Sequence, residues 1–208
     1  MREMHFENIQ NRYTGKEYEF DLLGKLDTQN PNYQKELARL QTLAVEHGYH
    51  PRQKNSLPFR EAVALTKKFQ PGDPTNPDKE FAKELRLALA EKLGLESDKQ
   101  LDSLKFFISA GGPLDAHGVD GFVTLAVPVK NGGEREFMVS FDVTRNPDKE
   151  EAQKAADLLI GGDIPDTSDS DFKEDEYLDI IGGYAEKISI LLAEKMRQQN
   201  VEFGGAEH

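Results

Sequence analysis

The chain has no cysteine, which removes disulfides, thiolate metal sites, iron–sulfur clusters and a cysteine nucleophile at one stroke. It has no tryptophan, so the strongest stacking side chain is missing as well. No apolar run approaches the roughly 20 residues that span a bilayer, and the start, Met1-Arg2-Glu3-Met4-His5-Phe6, carries no signal-peptide apolar stretch. A soluble cytoplasmic protein is expected. Basic residues are also in deficit, with 26 Lys and Arg against 38 Asp and Glu for a net charge of −12. What is present, 37% hydrophobic residues over 208 positions, suffices to bury a core.

The negative charge is unevenly placed. Residues 1–97 hold 15 acidic and 15 basic side chains, residues 98–157 hold 11 and 7, and residues 158–208 hold 12 and 4, so the segment charges are 0, −4 and −8. A basic strip lies inside the neutral part: Tyr49 to Gln70 carries Arg52, Lys54, Arg60, Lys67 and Lys68 against Glu61 alone, with Tyr49, His50 and Phe59 interleaved. Phosphate binding needs concentrated positive charge. Any nucleic-acid contact is therefore expected on this strip, through Arg52, Lys54, Lys67 and Lys68. The bland alternative is a solvated loop and helix face.

Residues 4–27 read as a hairpin or extended arm, with Thr14-Gly15-Lys16 as the turn and Tyr18, Phe20 and Leu22 alternating. Asn30-Pro31 opens a helix whose stripe is Tyr33, Leu37, Leu40, Leu43 and Ala44, closed by Gly48. Shorter helices follow over about 58–69, with Ala62, Val63 and Leu65 inward, and from Asn76-Pro77-Asp78 to Gly94, with Phe81, Leu85, Ala88 and Leu89 on one face. The period then changes. Lys105–Ser109 reads as a buried strand, and Val119–Val129 and Arg135–Val143 as half-buried strands joined at Asn131-Gly132-Gly133. A helix from Asn146-Pro147-Asp148 to about Ile160, an acidic loop and a final helix over about Glu174–Gln199 complete the chain; Gly182-Gly183 predicts a bend or close contact in that last helix. The expected fold is α+β, or a small α/β/α sandwich: a three-stranded, mostly antiparallel meander flanked by helices. Residues 1–75 form an N-terminal arm and helices packed on a core of residues 76–208.

Parity gives the sharpest deduction. Residues directly opposite in an antiparallel pair point to one face, so joining the odd, apolar sets of the two long strands requires opposite residues to sum to an even number. A turn placing Lys130 opposite Glu134 does this and sets Val123 against Phe141 and Leu125 against Val139. The other face then carries Asp120 opposite Thr144 and Phe122 opposite Asp142. Asp120 and Asp142 become diagonal neighbours, about 7–8 Å apart at Cβ, a separation at which two carboxylates can converge on one divalent ion.

At Gly118-Val119-Asp120-Gly121 and Asp142-Val143-Thr144, within residues 77–160, the chain resembles the PD-(D/E)xK nuclease superfamily. That resemblance implies a helix, a three-stranded meander and a helix, with Mg²⁺ or Mn²⁺ held by Asp120, Asp142 and the Val143 carbonyl for phosphodiester hydrolysis. Thr144 stands where the family places a catalytic Lys, so Lys149 would substitute for it. Glu84 resembles the acid contributed by the preceding helix, although Glu80 and Glu91 share its face. Lys149 also has a local reading. Asn76-Pro77-Asp78-Lys79-Glu80 and Asn146-Pro147-Asp148-Lys149-Glu150 are one pentapeptide used twice, and capping Asn, Pro and first-turn acids explain it as a helix start. Asp115, His117 and Asp120 are a further candidate metal trio. The reading of a different class is a non-catalytic protein-interaction module, built on the N-terminal helices and the final helix.

Overall fold

Helix starts in this chain are set by local chemistry. Asn30 accepts a hydrogen bond from the Asn32 N–H and is followed by Pro31 at the first helical position, and this fixes α2, Pro31–Glu46. Ser97 and Gln100 form a reciprocal capping box that opens the six-residue α5, Asp98–Ser103. The computed structural model describes residues 15–50, 55–129, 132–145, 155–161, 164–165, 167, 170–199 and 201. The remaining elements are α1 (15–23), α3 (Phe59–Lys68), α4 (Glu80–Lys92), β1 (Leu104–Ile108), a 3₁₀ turn at Asp115–His117, β2 (Gly121–Pro128), β3 (Glu134–Val143), β4 (Leu158–Ile160) and α6 (Glu174–Gln198).

The fold is α+β, with one mixed sheet in the order β1-β2-β3-β4. The first three strands form the antiparallel meander, and β4 runs parallel to β3. Odd residues of β2 and β3, among them Val123, Leu125, Val139 and Phe141, meet Phe81, Leu85 and Leu89 of α4 and Tyr177, Ile181, Ile188 and Leu192 of α6. The opposite face presents Phe107 and Phe122, stacked 5.0 Å apart at 19°, to Tyr33 and Leu37 of α2 and to Ala62 and Leu65 of α3. Helices thus cover both faces. The free edge of β1 is covered too: the Phe106 N–H donates to the Pro74 carbonyl (2.8 Å), and the Ile108 N–H to Gln70 Oε1 (2.9 Å). Among the described residues no helix is long and apolar enough to cross a membrane.

Four expectations are corrected. The sheet has four strands, because Leu158–Ile160, expected at the end of a helix, instead extends β3 in parallel; residues 146–154 of that helix lie outside the described residues. Residues 15–23 are helical where an arm was expected: Tyr18 and Leu23 point inward, a spacing that an alternating strand does not give. The β2–β3 register differs by two residues, pairing Val123 with Val139 and Leu125 with Phe137. Gly132 and Gly133 both take positive φ (79° and 92°), so the chain reverses one residue earlier than supposed; the Val129 N–H bonds the Gly133 carbonyl (3.2 Å), and parity survives. Finally, α6 runs unbroken through Gly182-Gly183, and a Cβ at either position would meet nothing within 4 Å.

Candidate functional site

Two places on the fold concentrate charged chemistry. The first is the end of the sheet where β2 begins and β3 finishes. Gly121 pairs with Phe141 at the end of the β2–β3 register, and Asp120 and Asp142 lie just beyond that last pair, one on each segment. Both side chains are buried, at 3% and 5% exposure, although neither belongs to the apolar set. Asp120 is pinned from several sides. Its N–H donates to the Phe141 carbonyl (3.0 Å), its own carbonyl accepts from the Ser109 and Ala110 N–H groups (2.9 and 3.0 Å), and Oδ2 accepts from the Val143 N–H (2.8 Å). Gly121 beside it is sterically required, since a Cβ there would lie 2.5 Å from two ring carbons of Phe141.

Further carboxylates surround this pair: Glu19 from α1 and Asp115 from the 3₁₀ turn. Burial is the main cause that pushes the Asp120 carboxyl up to about 8; Glu19, Asp142 and Asp115 push the same way, against the Val143 N–H, which favours the ionised form. Cations approach the rim, with Lys16 Nζ 3.4 Å from Asp115 Oδ2 and the Arg145 guanidinium 4.4 Å from the Tyr18 ring centre. Burial and the neighbouring carboxylates thus favour the protonated form of this carboxyl.

Of the other residues expected at this site, Val143 and Asp115 lie beside Asp120, and Glu84 does not. Glu84 sits on α4, which packs against the opposite face of the sheet. There, with Glu80, it adds to the burial that raises the Tyr177 hydroxyl to about 12. Val143 serves Asp120 through its N–H, while the Thr144 N–H bonds the Ile160 carbonyl (3.0 Å) and continues the β3–β4 pairing. Lys149 lies outside the described residues. His117 is engaged elsewhere, its Nε2 being 2.7 Å from the Leu57 carbonyl oxygen. Among the described residues no group of three or more His, Asp or Glu side chains is placed to hold a metal ion, the Asp115, His117 and Asp120 trio included.

Sequence reasoning missed the group that ties β3 to β4 and α6. Asp157 Oδ2 accepts from both the N–H and the hydroxyl of Ser140 (2.8 Å each), and Oδ1 accepts from Lys195 Nζ (2.8 Å), which also reaches the Met138 carbonyl (2.8 Å). Burial alone would raise the Asp157 carboxyl; Lys195 and Ser140 outweigh it and hold the group below its ordinary value. No local pattern joins residues 38 positions apart, so only the fold reveals this link.

The second place is a shallow groove between α2 and α3, lined by Asn32, Lys35, Glu36, Arg39, Lys68 and Phe69. Arg39 grips the Glu36 carboxylate with both ends of its fork, Nε to Oε2 (2.8 Å) and Nη2 to Oε1 (3.1 Å), and Lys68 adds a bond to Oε1 (2.9 Å). Those bonds, Arg39 first, lower the Glu36 carboxyl to about 2. Lys35 is exposed and forms no ion pair among the described residues. Lys67, on the same helix as Lys68, pairs with Glu136 and lies 5.6 Å from the Phe107 ring centre. Of the basic strip, Lys67 and Lys68 are thus ion-paired, Arg52 and Lys54 lie outside the described residues, and α2 supplies cations that the strip omitted. The i, i+3 spacing of Glu36 and Arg39 was the available signal.

No family model matches the chain, and no solved structure matches it. It is similar to small ribosomal subunit protein uS2 of Thermoplasma volcanium, with 30% identity over 80 residues, covering 38% of this chain and 40% of that protein. The chain therefore matches about two fifths of the length of that relative. This likeness points away from phosphodiester hydrolysis, and the expectation of a metal-dependent nuclease, with its hydrolase and metal-binding chemistry, is corrected on that finding.

Proposed function

We propose that the chain is an interaction protein that associates with RNA or a ribosomal surface, in a cytoplasmic setting, through the face formed by α2 and α3. The observation that carries this reading is the likeness to a small-subunit ribosomal protein over 80 residues. The α2–α3 groove supports it chemically. Lys35, Arg39 and Lys68 surround the single carboxylate of Glu36, on the segment of the chain whose net charge is zero, while the acidic surplus lies in later segments. A −12 protein that binds a polyanion must do so through such a local patch, since the rest of its surface repels phosphate.

Filter binding of small-subunit ribosomal RNA at 50 and 200 mM KCl tests the reading. With up to three cations at the groove, the slope of log K against log salt should be about −2, which is roughly a fifteenfold loss over that range. The double variant Lys35→Glu and Lys68→Glu should bind more weakly by at least tenfold at the lower salt. Binding too weak to detect at 50 mM KCl, or a double variant that binds as wild type does, would refute it.

A further inference from the structure

Resting on that reading, we propose that the α2–α3 groove is a binding site for a backbone phosphate of single-stranded RNA, and that Glu36 is its built-in competitor. Arg39 presents Nε and Nη2 to the two oxygens of Glu36 in the parallel two-bond arrangement that a phosphate also accepts. Lys68 closes the third side at 2.9 Å. The competitor is sheltered and the cations are not: the side chain of Glu36 is 18% exposed, against 56% for Arg39 and 58% for Lys68. The Arg39 fork bonded to Glu36, and the Lys68 ammonium bonded to Glu36 and 5.7 Å from the Phe69 ring centre, each keep N–H donors to spare. A phosphate approaching from solvent therefore meets donors before it meets the carboxylate.

The surroundings narrow the ligand to a nucleotide chain. Phe69 lines the groove with a partly buried ring, held by Tyr33 edge-on at 5.5 Å and 80°; Lys68 Nζ lies 5.7 Å over its centre, so a base that stacks there takes the place of the ammonium as it turns to the phosphate. Stacking of an unpaired base next to a cationic backbone contact is how single strands are held without sequence preference. Lys35, one position before Glu36 and unpaired with any described carboxylate, is placed for the neighbouring phosphate. Within this site the charge is +3 from Lys35, Arg39 and Lys68 less 1 from Glu36. The carboxylate keeps the groove closed to weak anions and yields to a multivalent one.

Fluorescence anisotropy of a labelled dodecauridylate at 50 mM KCl tests this on the full chain, with wild type, Glu36→Gln and Arg39→Ala. Removing one negative charge next to the phosphate should tighten Glu36→Gln about fivefold and steepen its salt dependence, while Arg39→Ala weakens binding. A Glu36→Gln protein that binds as wild type does, or less tightly, overturns the competitor role even if ribosomal RNA is retained on filters. The two failures separate in a parallel titration with pyrophosphate followed by amide NMR. Shifts at residues 32–39 and 68–69 that are larger in Glu36→Gln, without RNA binding, keep the anion site and remove the RNA reading. No shift there and no dodecauridylate binding overturn the site. Arg39 is exposed and Glu36 half-buried on the surface of α2, and unchanged far-ultraviolet circular dichroism shows that both variants fold.

Discussion

Replacing Asp120 with Asn should make the protein more stable at alkaline pH. Asp120 is buried and its carboxyl is pushed up to about 8, against an ordinary value of 3.8 in the unfolded chain. Between those two values the folded state holds a proton that the unfolded state has lost, so the free energy of unfolding falls as pH rises from about 4 to about 8 and levels off above. The full penalty for ionising this group inside the fold is about 6 kcal/mol, and relaxation or water entry reduces it. We expect wild type to lose about 3 kcal/mol between pH 5 and pH 9 from this group alone. Asn is isosteric, its carbonyl oxygen can still accept from the Val143 N–H, and it cannot ionise. Asp120→Asn should therefore gain about 3 kcal/mol on wild type between pH 5 and pH 9. Urea titrations of both proteins at pH 5, 7 and 9 read this difference directly, and subtraction removes the other groups. Asp142→Asn provides a second arm, because removing its repulsion should shift the Asp120 transition to lower pH. A wild type whose stability relative to Asp120→Asn is constant, or grows with pH, would show that burial and Glu19 do not burden this carboxyl.

Other perturbations reach separate parts of the fold. Gly121→Ala should cost about 2–3 kcal/mol in urea midpoint analysis, since its Cβ would fall 2.5 Å from the Phe141 ring, and Phe141→Leu in the same chain should recover part of that loss. Lys195→Met leaves the half-buried Asp157 with Ser140 as its remaining donor and should cost about 1–2 kcal/mol at pH 7. Because the Asp157 carboxyl is held low, its contribution is present at neutral pH and is lost on acidification through its folded-state value. The acid limb of the stability profile should accordingly be shallower in Lys195→Met. Arg86→Lys should destabilise by about 1–3 kcal/mol despite keeping the charge: the buried guanidinium bonds the Leu104 and Leu101 carbonyls with two separate N–H groups, and a point-like ammonium cannot reproduce that fork.

The elements readable in the sequence were those whose pattern repeats over two turns or more. The stripe Tyr33, Leu37 and Ala44 in α2, the face Phe81, Leu85 and Leu89 in α4, and the alternation in β2 and β3 each contain several votes for one period. Short elements supply few votes. Leu158-Leu159-Ile160 is an apolar triplet that suits a helix end as well as a strand, and only pairing with β3 decides it. In α1 the aromatic and aliphatic residues at 18, 20 and 22 imitate a period of two, while the fold buries Tyr18 and Leu23. That Asp120 and Asp142 would lie near each other was legible from the hairpin, but the strict alternation behind it stops short of Asp120: Val119 packs with Phe122 on the other side of the sheet from Val123 and Leu125. The chemistry of the pair was less legible, since the neighbours that set its ionisation, Glu19 and Asp115, come from other elements. The Glu36–Arg39 pair was within reach of helical spacing, but Lys68, 32 residues away, joins it only once α2 and α3 pack.

The cover over β1 has a consequence for how this protein meets others. An uncapped edge strand is a template on which any extended peptide can add a further strand, whether a partner or a misfolded copy. Here the outward N–H groups of Phe106 and Ile108 are already spent on Pro74 and Gln70 of the same chain. Backbone recruitment at that edge is closed off. Recognition on that side must run through side chains displayed by helices and loops, which makes it selective by charge and shape and keeps the covered β1 edge from seeding aggregation.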